Sequence, residues 1–177
     1  MARLSTKYRR HALEPGQDIA LWRHDAWLAI DPSTVPHHIG WAWFQQNILI
    51  AYGLGPRLSG SPTLHARYAH IIRFAQAQLE RTQVPLLLIE DQFLGNNPRT
   101  LIALTSSKTL WMTVALQRDM EIREVKPTEW QMLLCPGWRF GTKRDAILRT
   151  VQMTLRARYP ELPLDLDPNI ICAIGIG

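Results

Sequence analysis

Residues 84–90, VPLLLIE, carry no polar side chain until the last position. A run this short and this apolar is too brief for a typical helix and reads as a strand buried on both faces of a layered sheet. Its final residue, Glu90, is therefore out of place. The same thing happens at residues 26–31, AWLAID, where Asp31 closes an apolar strand before Pro32, Ser33 and Thr34. A carboxylate ending a buried strand is costly unless it is solvated, paired or bound to a cation. Where two neighbouring strands both end in acids, the charges converge at one sheet edge and repel. A divalent cation relieves that repulsion. Hard oxygen ligands suit Mg²⁺ or Mn²⁺, and two such ions can activate water against a phosphodiester. Either acid taken alone also fits a plainer role, ending its strand or capping a turn.

The rest of the chain supplies a sheet around these strands. IGWAWF (39–44) and NILIAYG (47–53) follow AWLAID closely, as in an antiparallel meander. After a Gly/Pro/Ser loop, residues 63–83 place Leu64, Tyr68, Ile71, Ile72, Ala75 and Leu79 at helical spacing. A second helix is expected from Pro98 to Arg118, with Asn97 as N-cap and Leu101, Leu104, Trp111 and Ala115 inward. EIREV (121–125) alternates and reads as a fifth strand. A short helix opens at Pro127, residues 135–141 form a loop, and residues 142–159 are helical with Ile147, Leu148, Val151 and Leu155 inward. A short helix ends the chain. The expected fold is α/β: a five-stranded mixed sheet, three antiparallel strands then two parallel ones, with helices on both faces.

The sequence of 177 residues accommodates one such domain over residues 26–177, preceded by a basic arm over residues 1–25. Cys135 and Cys172 make neither a disulfide framework nor a zinc spacing. No apolar run reaches the roughly 18–20 residues that span a bilayer. The basic N-terminus lacks the apolar stretch of a secretory signal, so a cytoplasmic location without membrane attachment is expected. Lys and Arg number 20 against 15 Asp and Glu, a balance compatible with a polyanionic partner. Trp138 lies in the Gly-flanked basic loop PGWRFGTKR and is a candidate DNA contact. The seven Trp are otherwise better explained by core packing. The His37–His38 pair in the first turn reads as solvated turn histidines ahead of a metal or general-base role.

Three blocks resemble RuvC-type Holliday-junction resolvases of the RNase H-like superfamily, in the phage-like branch. LAIDPSTVPHHIGWAWF is similar to their opening, a strand ending in Ile-Asp-Pro and a Gly that starts the next strand. IEDQFLGNNPRTLIALTSSKTLWMTVA is similar to their second block, with Glu90, Phe93, Asn97 and Lys108 in place. VKPTEWQ and then GTKRDAILRTV resemble the later part. The blocks span residues 26–177 in the right order. The resemblance implies an RNase H-like fold and a homodimer that binds four-way DNA junctions. It further implies symmetric nicking of two strands, dependent on Mg²⁺ or Mn²⁺. Asp31 and Glu90 become metal ligands and catalytic residues by this carry-over. Phe93 would stack beside a base at the junction centre, Asn97 belongs to the same DNA-facing block, and Lys108, Lys143 and Arg144 would contact phosphates.

The resemblance breaks at the C-terminus. The family pattern has an acid or His, two residues, then Asp-Ala; the matching run here is Asn169, Ile170, Ile171, Cys172, Ala173. Asn169 still offers a carbonyl oxygen, whereas Cys172 is a soft ligand poorly suited to Mg²⁺. Asp165 or Asp167 replacing the lost ligand, weakened or absent cleavage, and a shifted register are the open readings. Cleavage weakened by the altered motif is favoured. The rival functions are a non-catalytic junction-binding protein on the same fold and a different RNase H-like nuclease. An actin-like phosphate binder would need a second nucleotide-binding half, for which the chain has no room.

Overall fold

The protein is described here by a computed structural model covering residues 24–91, 98–135, 137 and 142–177. Phe93, Asn97, Trp138 and residues 1–23 lie outside the described residues. Five strands form one sheet in the order β3-β2-β1-β4-β5. They are β1 (Ala26–Asp31), β2 (Gly40–Gln45), β3 (Ile48–Leu54), β4 (Leu86–Glu90) and β5 (Glu121–Val125). β1, β2 and β3 pair antiparallel, while β4 pairs parallel with both β1 and β5. This is the three-plus-two sheet expected from the sequence. Gln46 and Asn47 turn the β2–β3 hairpin with φ of 50° and 63°, the left-handed pair that a tight two-residue hairpin requires.

Strand alternation divides the core into two layers. On one face Leu28, Ile30, Trp41, Leu87 and Ile89 pack under α1 (Leu64–Thr82) and α2 (Pro98–Leu116). On the other, Trp27, Ala29, Phe44, Leu86 and Leu88 pack under α3 (Pro127–Leu134), α4 (Arg144–Arg158) and α5 (Pro168–Ile176). α4 buries the four residues its periodicity marks, Ile147, Leu148, Val151 and Leu155. α1 departs from its apolar pattern. Leu64 is 55% exposed at the helix start, while Gln78 and Thr82 are buried at its end. Thr82 satisfies its hydroxyl on the Gln78 carbonyl, 2.9 Å away. α2 buries Trp111 and Ala115 fully but leaves Leu101 and Leu104 only half-buried near its start.

α5 reaches the sheet because position 40 has no side chain. A Cβ built on Gly40 would lie 2.0 Å from the Asn169 carbonyl oxygen. The glycine thus lets the first turn of α5 rest directly on β2, with Ile171, Cys172, Ala173 and Ile174 buried below it. Among the described residues, no helix is long and apolar enough to cross a membrane.

Candidate active site

Alternation that buries Trp27 and Ala29 beneath α3–α5 sends Asp31 to the same face, and Leu86 and Leu88 do the same for Glu90. The parallel register sets Ile30 beside Ile89, so the next residues along, Asp31 and Glu90, end adjacent strands side by side. Asp31 is only 8% exposed. Its carboxyl hydrogen-bonds that of Glu90, and burial together with the neighbouring charge holds Asp31 well above the usual carboxylate range. Glu90 is raised too, chiefly by burial, against the opposing pull of its hydrogen bonds. One of these is from Trp130 Nε1, 2.9 Å from Glu90 Oε1. Two carboxyls that hydrogen-bond each other in a dry site hold a shared proton when nothing else neutralises them.

Two further groups close on the pair. The Cys172 thiol hydrogen-bonds Asp31, and burial plus both carboxylates push its ionisation far up, so it stays a neutral thiol. The Arg144 guanidinium, at the start of α4, lowers both carboxyls by its charge. Ser107 Oγ, fully buried on α2, donates to the Ser33 carbonyl at 2.7 Å and fixes the turn that leaves Asp31.

The remaining candidates are placed differently. Asp167 caps α5: its Oδ1 accepts from Asn169 N and from Asn169 Nδ2, both at 2.8 Å. It lines a cleft with His37, His38 and Arg57 instead of joining the carboxyl pair. Asp165 is exposed. Asn169 spends its amide nitrogen on Asp167. Lys108 Nζ is held by Asp91 Oδ1 at 2.8 Å and by Glu124, an ion-pair bridge between the ends of β4 and β5. Lys143 is the exposed N-cap position of α4.

Whether these side chains suit a divalent ion follows from their chemistry. Asp31 and Glu90 form a two-carboxylate donor pair that a single hard cation fits, taking the place of the shared proton. Of the expected ligands Asp31, Glu90, Asn169 and Cys172, the structure brings Asp31, Glu90 and Cys172 into contact, and Asn169 stands in the first turn of α5, the helix that carries Cys172. Among the described residues, no three or more His, Cys, Asp and Glu side chains are arranged to hold a metal ion. The Asn169 side-chain nitrogen is taken by Asp167, which leaves its carbonyl oxygen as the donor, and Cys172 presents a protonated thiol.

Sequence reasoning missed two contributors. Trp130 was visible only as part of a Pro–Trp block, although a buried indole seeks an acceptor for its N–H. Arg144, expected as a phosphate contact, also acts on the two acids through its charge.

Comparison with solved structures bears on this architecture. Thermus thermophilus RuvC in complex with a Holliday-junction substrate aligns with a TM-score of 0.67 and 14% identity, covering 86% of this chain and 90% of that one. The fold is that of RuvC. Another Thermus thermophilus RuvC structure gives a TM-score of 0.63 at 15% identity, over 85% and 90% of the two chains. The yeast mitochondrial Holliday junction resolvase Ydc2 gives 0.52 at 10% identity, over 85% and 76%. In sequence, the chain is 30% identical over 104 residues to the crossover junction endodeoxyribonuclease RuvC of Chlamydia pneumoniae. That match covers 56% of this chain and 61% of the relative. No protein-family model matches. In this chain the C-terminal ends of β1 and β4, with Asp31 and Glu90, lie at one sheet edge.

Proposed function

We propose that this chain is a structure-selective DNA endonuclease. It binds four-way junctions as a homodimer and hydrolyses the phosphodiester backbone slowly, or binds without cutting, because Cys172 replaces a carboxylate. The buried Asp31–Glu90 pair at adjacent parallel strand ends carries this reading. Burial raises both carboxyls, the charge of Glu90 adds to this at Asp31, and acids held so at adjacent strand ends support a site kept for chemistry. A divalent ion held there, Mg²⁺ or Mn²⁺, would supply Lewis-acid activation of water and of the phosphate oxygen.

The chain's own groups do the rest. Asp31 and Glu90 supply the negative charge that selects a cation and excludes bare phosphate. Trp130 fixes the Glu90 carboxylate through its N–H. Lys143 and Arg144, at the start of α4, offer charges to the strand lying over the edge. Among residues outside the described set, Phe93 would stack beside a base at the junction centre, and Asn97 and Trp138 would contact DNA. Lys108 belongs to this surface only if DNA draws it from Asp91 and Glu124.

The experiment is a panel of four-way junction, linear duplex and RNA–DNA hybrid, each with Mg²⁺ and with Mn²⁺. Preferential binding of the junction, with nicking that increases in Cys172→Asp and disappears in Asp31→Asn, is the expected result. Preference for the hybrid would replace the resolvase reading with another nuclease. The neutral thiol and the nearby guanidinium favour one second reading, a junction binder without cleavage. It is chosen if junction affinity persists while neither the wild type nor Cys172→Asp nicks.

A further inference from the structure

A cleft of about 270 Å³ opens between the turn after β1 and the end of β3, lined by His37, His38, Leu54, Gly55, Arg57 and Asp167. Its walls are fixed. Residues Pro36–His38 form one turn of 3-10 helix. Gly55 N donates to the Ile39 carbonyl at 2.9 Å, and a Cβ on Gly55 would meet the Pro36 carbonyl oxygen at 2.1 Å. The close approach brings Arg57 onto the histidine turn. The two imidazoles lie edge to face, 4.4 Å between centroids.

Three basic side chains share this cleft with one acid, and that acid is already engaged. The Asp167 carboxylate accepts two N–H groups at the head of α5, where the helix dipole also offsets its charge. Among the described residues, no salt bridge reaches Arg57. Desolvation lowers the His37 pKa first, and the charges of His38 and then Arg57 add to it. A bound anion relieves such like-charge crowding.

The topology gives the cleft a role. β3 runs in the direction of β1, because each is antiparallel to β2. Leu54 and Gly55 therefore leave the sheet at the edge where Asp31 and Glu90 sit. β3 lies two strand spacings from β1, roughly 10 Å, so one nucleic-acid backbone can pass both places.

We propose that His37, His38 and Arg57 form a phosphodiester-binding subsite beside the carboxyl pair, holding the DNA backbone at a point flanking the bond to be cut. The ligand assignment rests on the nuclease reading; the anion site itself does not. His38 and Arg57 project into solvent, and His37 is half-buried, so an extended polyanion can reach all three. A turn histidine pair that looks merely solvated in the sequence thereby gains a partner across the chain.

The test has two arms. In the first, full-length protein is titrated with inorganic phosphate and with a short single-stranded oligonucleotide, and the imidazole ring protons are followed by NMR. Both ligands are expected to shift His37 and His38 but not His70 on α1. In the second, junction affinity is measured against salt for wild type, Arg57→Glu, His37→Ala/His38→Ala, and Arg73→Glu, an exposed arginine of α1 that controls for net charge. Loss of one phosphate contact should flatten the logarithmic salt dependence by about one unit and weaken binding about tenfold at low salt. The cleft variants should show this and Arg73→Glu should not.

Equal losses in Arg57→Glu and Arg73→Glu would overturn the subsite, since only overall charge would then matter. Undisturbed histidine resonances with either ligand would overturn it as well. Shifts with inorganic phosphate but none with the oligonucleotide would overturn the backbone assignment. A wild type that binds no DNA, while phosphate still shifts both rings, would remove the nuclease reading and leave a site for free phosphate.

Discussion

Asp31 is an acid that the native state prefers to keep protonated. In an unfolded chain its pKa is about 3.9, and in the folded protein it is raised. The native state therefore binds more protons than the unfolded state at any pH between those two values. Stability contributed by this group is fully present below about pH 4 and is lost as pH rises through the folded value. Asp31→Asn removes the penalty and should stabilise the protein at pH 8, with a smaller gain at pH 5. Thermal unfolding at the two pH values checks this. Mn²⁺ should raise the melting temperature of wild type and not of Asp31→Asn, because the ion binds the native carboxyl pair. A variant that is less stable than wild type at pH 8 would contradict the description of the pair as electrostatically frustrated. Trp130 bears on the same pair. Trp130→Phe keeps most of the buried ring but strips Glu90 of a hydrogen bond, and should cost about 1–3 kcal/mol by chemical denaturation. It should also weaken Mn²⁺ binding, since Glu90 would hold its proton more tightly.

At the level of elements, α5 brings Cys172 to Asp31 only because β2 begins with a glycine. Gly40→Ala would push a methyl carbon into the Asn169 carbonyl, and backbone on both sides leaves little room to yield. Overpacking of this kind costs about 1–3 kcal/mol. The variant should unfold at lower denaturant concentration, and Cys172 should react faster with a thiol reagent as α5 lifts. Unchanged thiol protection would mean that α5 is held by its apolar face alone. α4 is a second lever. Its four buried residues set its rotation, and that rotation aims Arg144 at the carboxyl pair. Arg144→Ala should raise both carboxyl pKa values further and make Mn²⁺ binding more strongly dependent on pH, read by calorimetry between pH 6 and pH 8. The Lys108 bridge ties β4 to β5 on the far side of the site.

Over the whole molecule, basic residues exceed acidic ones by five, while the sheet edge concentrates acids at one point. An excess of positive charge around a small acidic centre draws in a polyanion and leaves a place for a cation beneath it. Binding of a four-way junction should therefore fall steeply between 50 and 200 mM salt, by several powers of ten if six or more phosphates are contacted. Fluorescence anisotropy across that range measures it, and a flat dependence would count against a basic groove around the edge.

Much of this architecture was legible in the chain itself. The unbroken apolar runs ending in Asp31 and Glu90 and the periodicity of α4 are local signals. Each depends on residues within a few positions of one another, and each appears in the folded protein as its pattern required. Even the shared face of the two acids follows from counting by twos along β1 and β4. Other facts exist only once helices dock on the sheet. The capture of Lys108 by Asp91 and Glu124 and the meeting of Cys172 with Asp31 join residues far apart in the chain. So does the approach of Arg57 to the histidine turn. No spacing in the sequence encodes such meetings, because they are set by how closely backbones approach and how each helix rotates about its axis. Periodicity decided most of what is buried in the strands and in α4; packing decided the ends of α1 and α2 and which charges face one another.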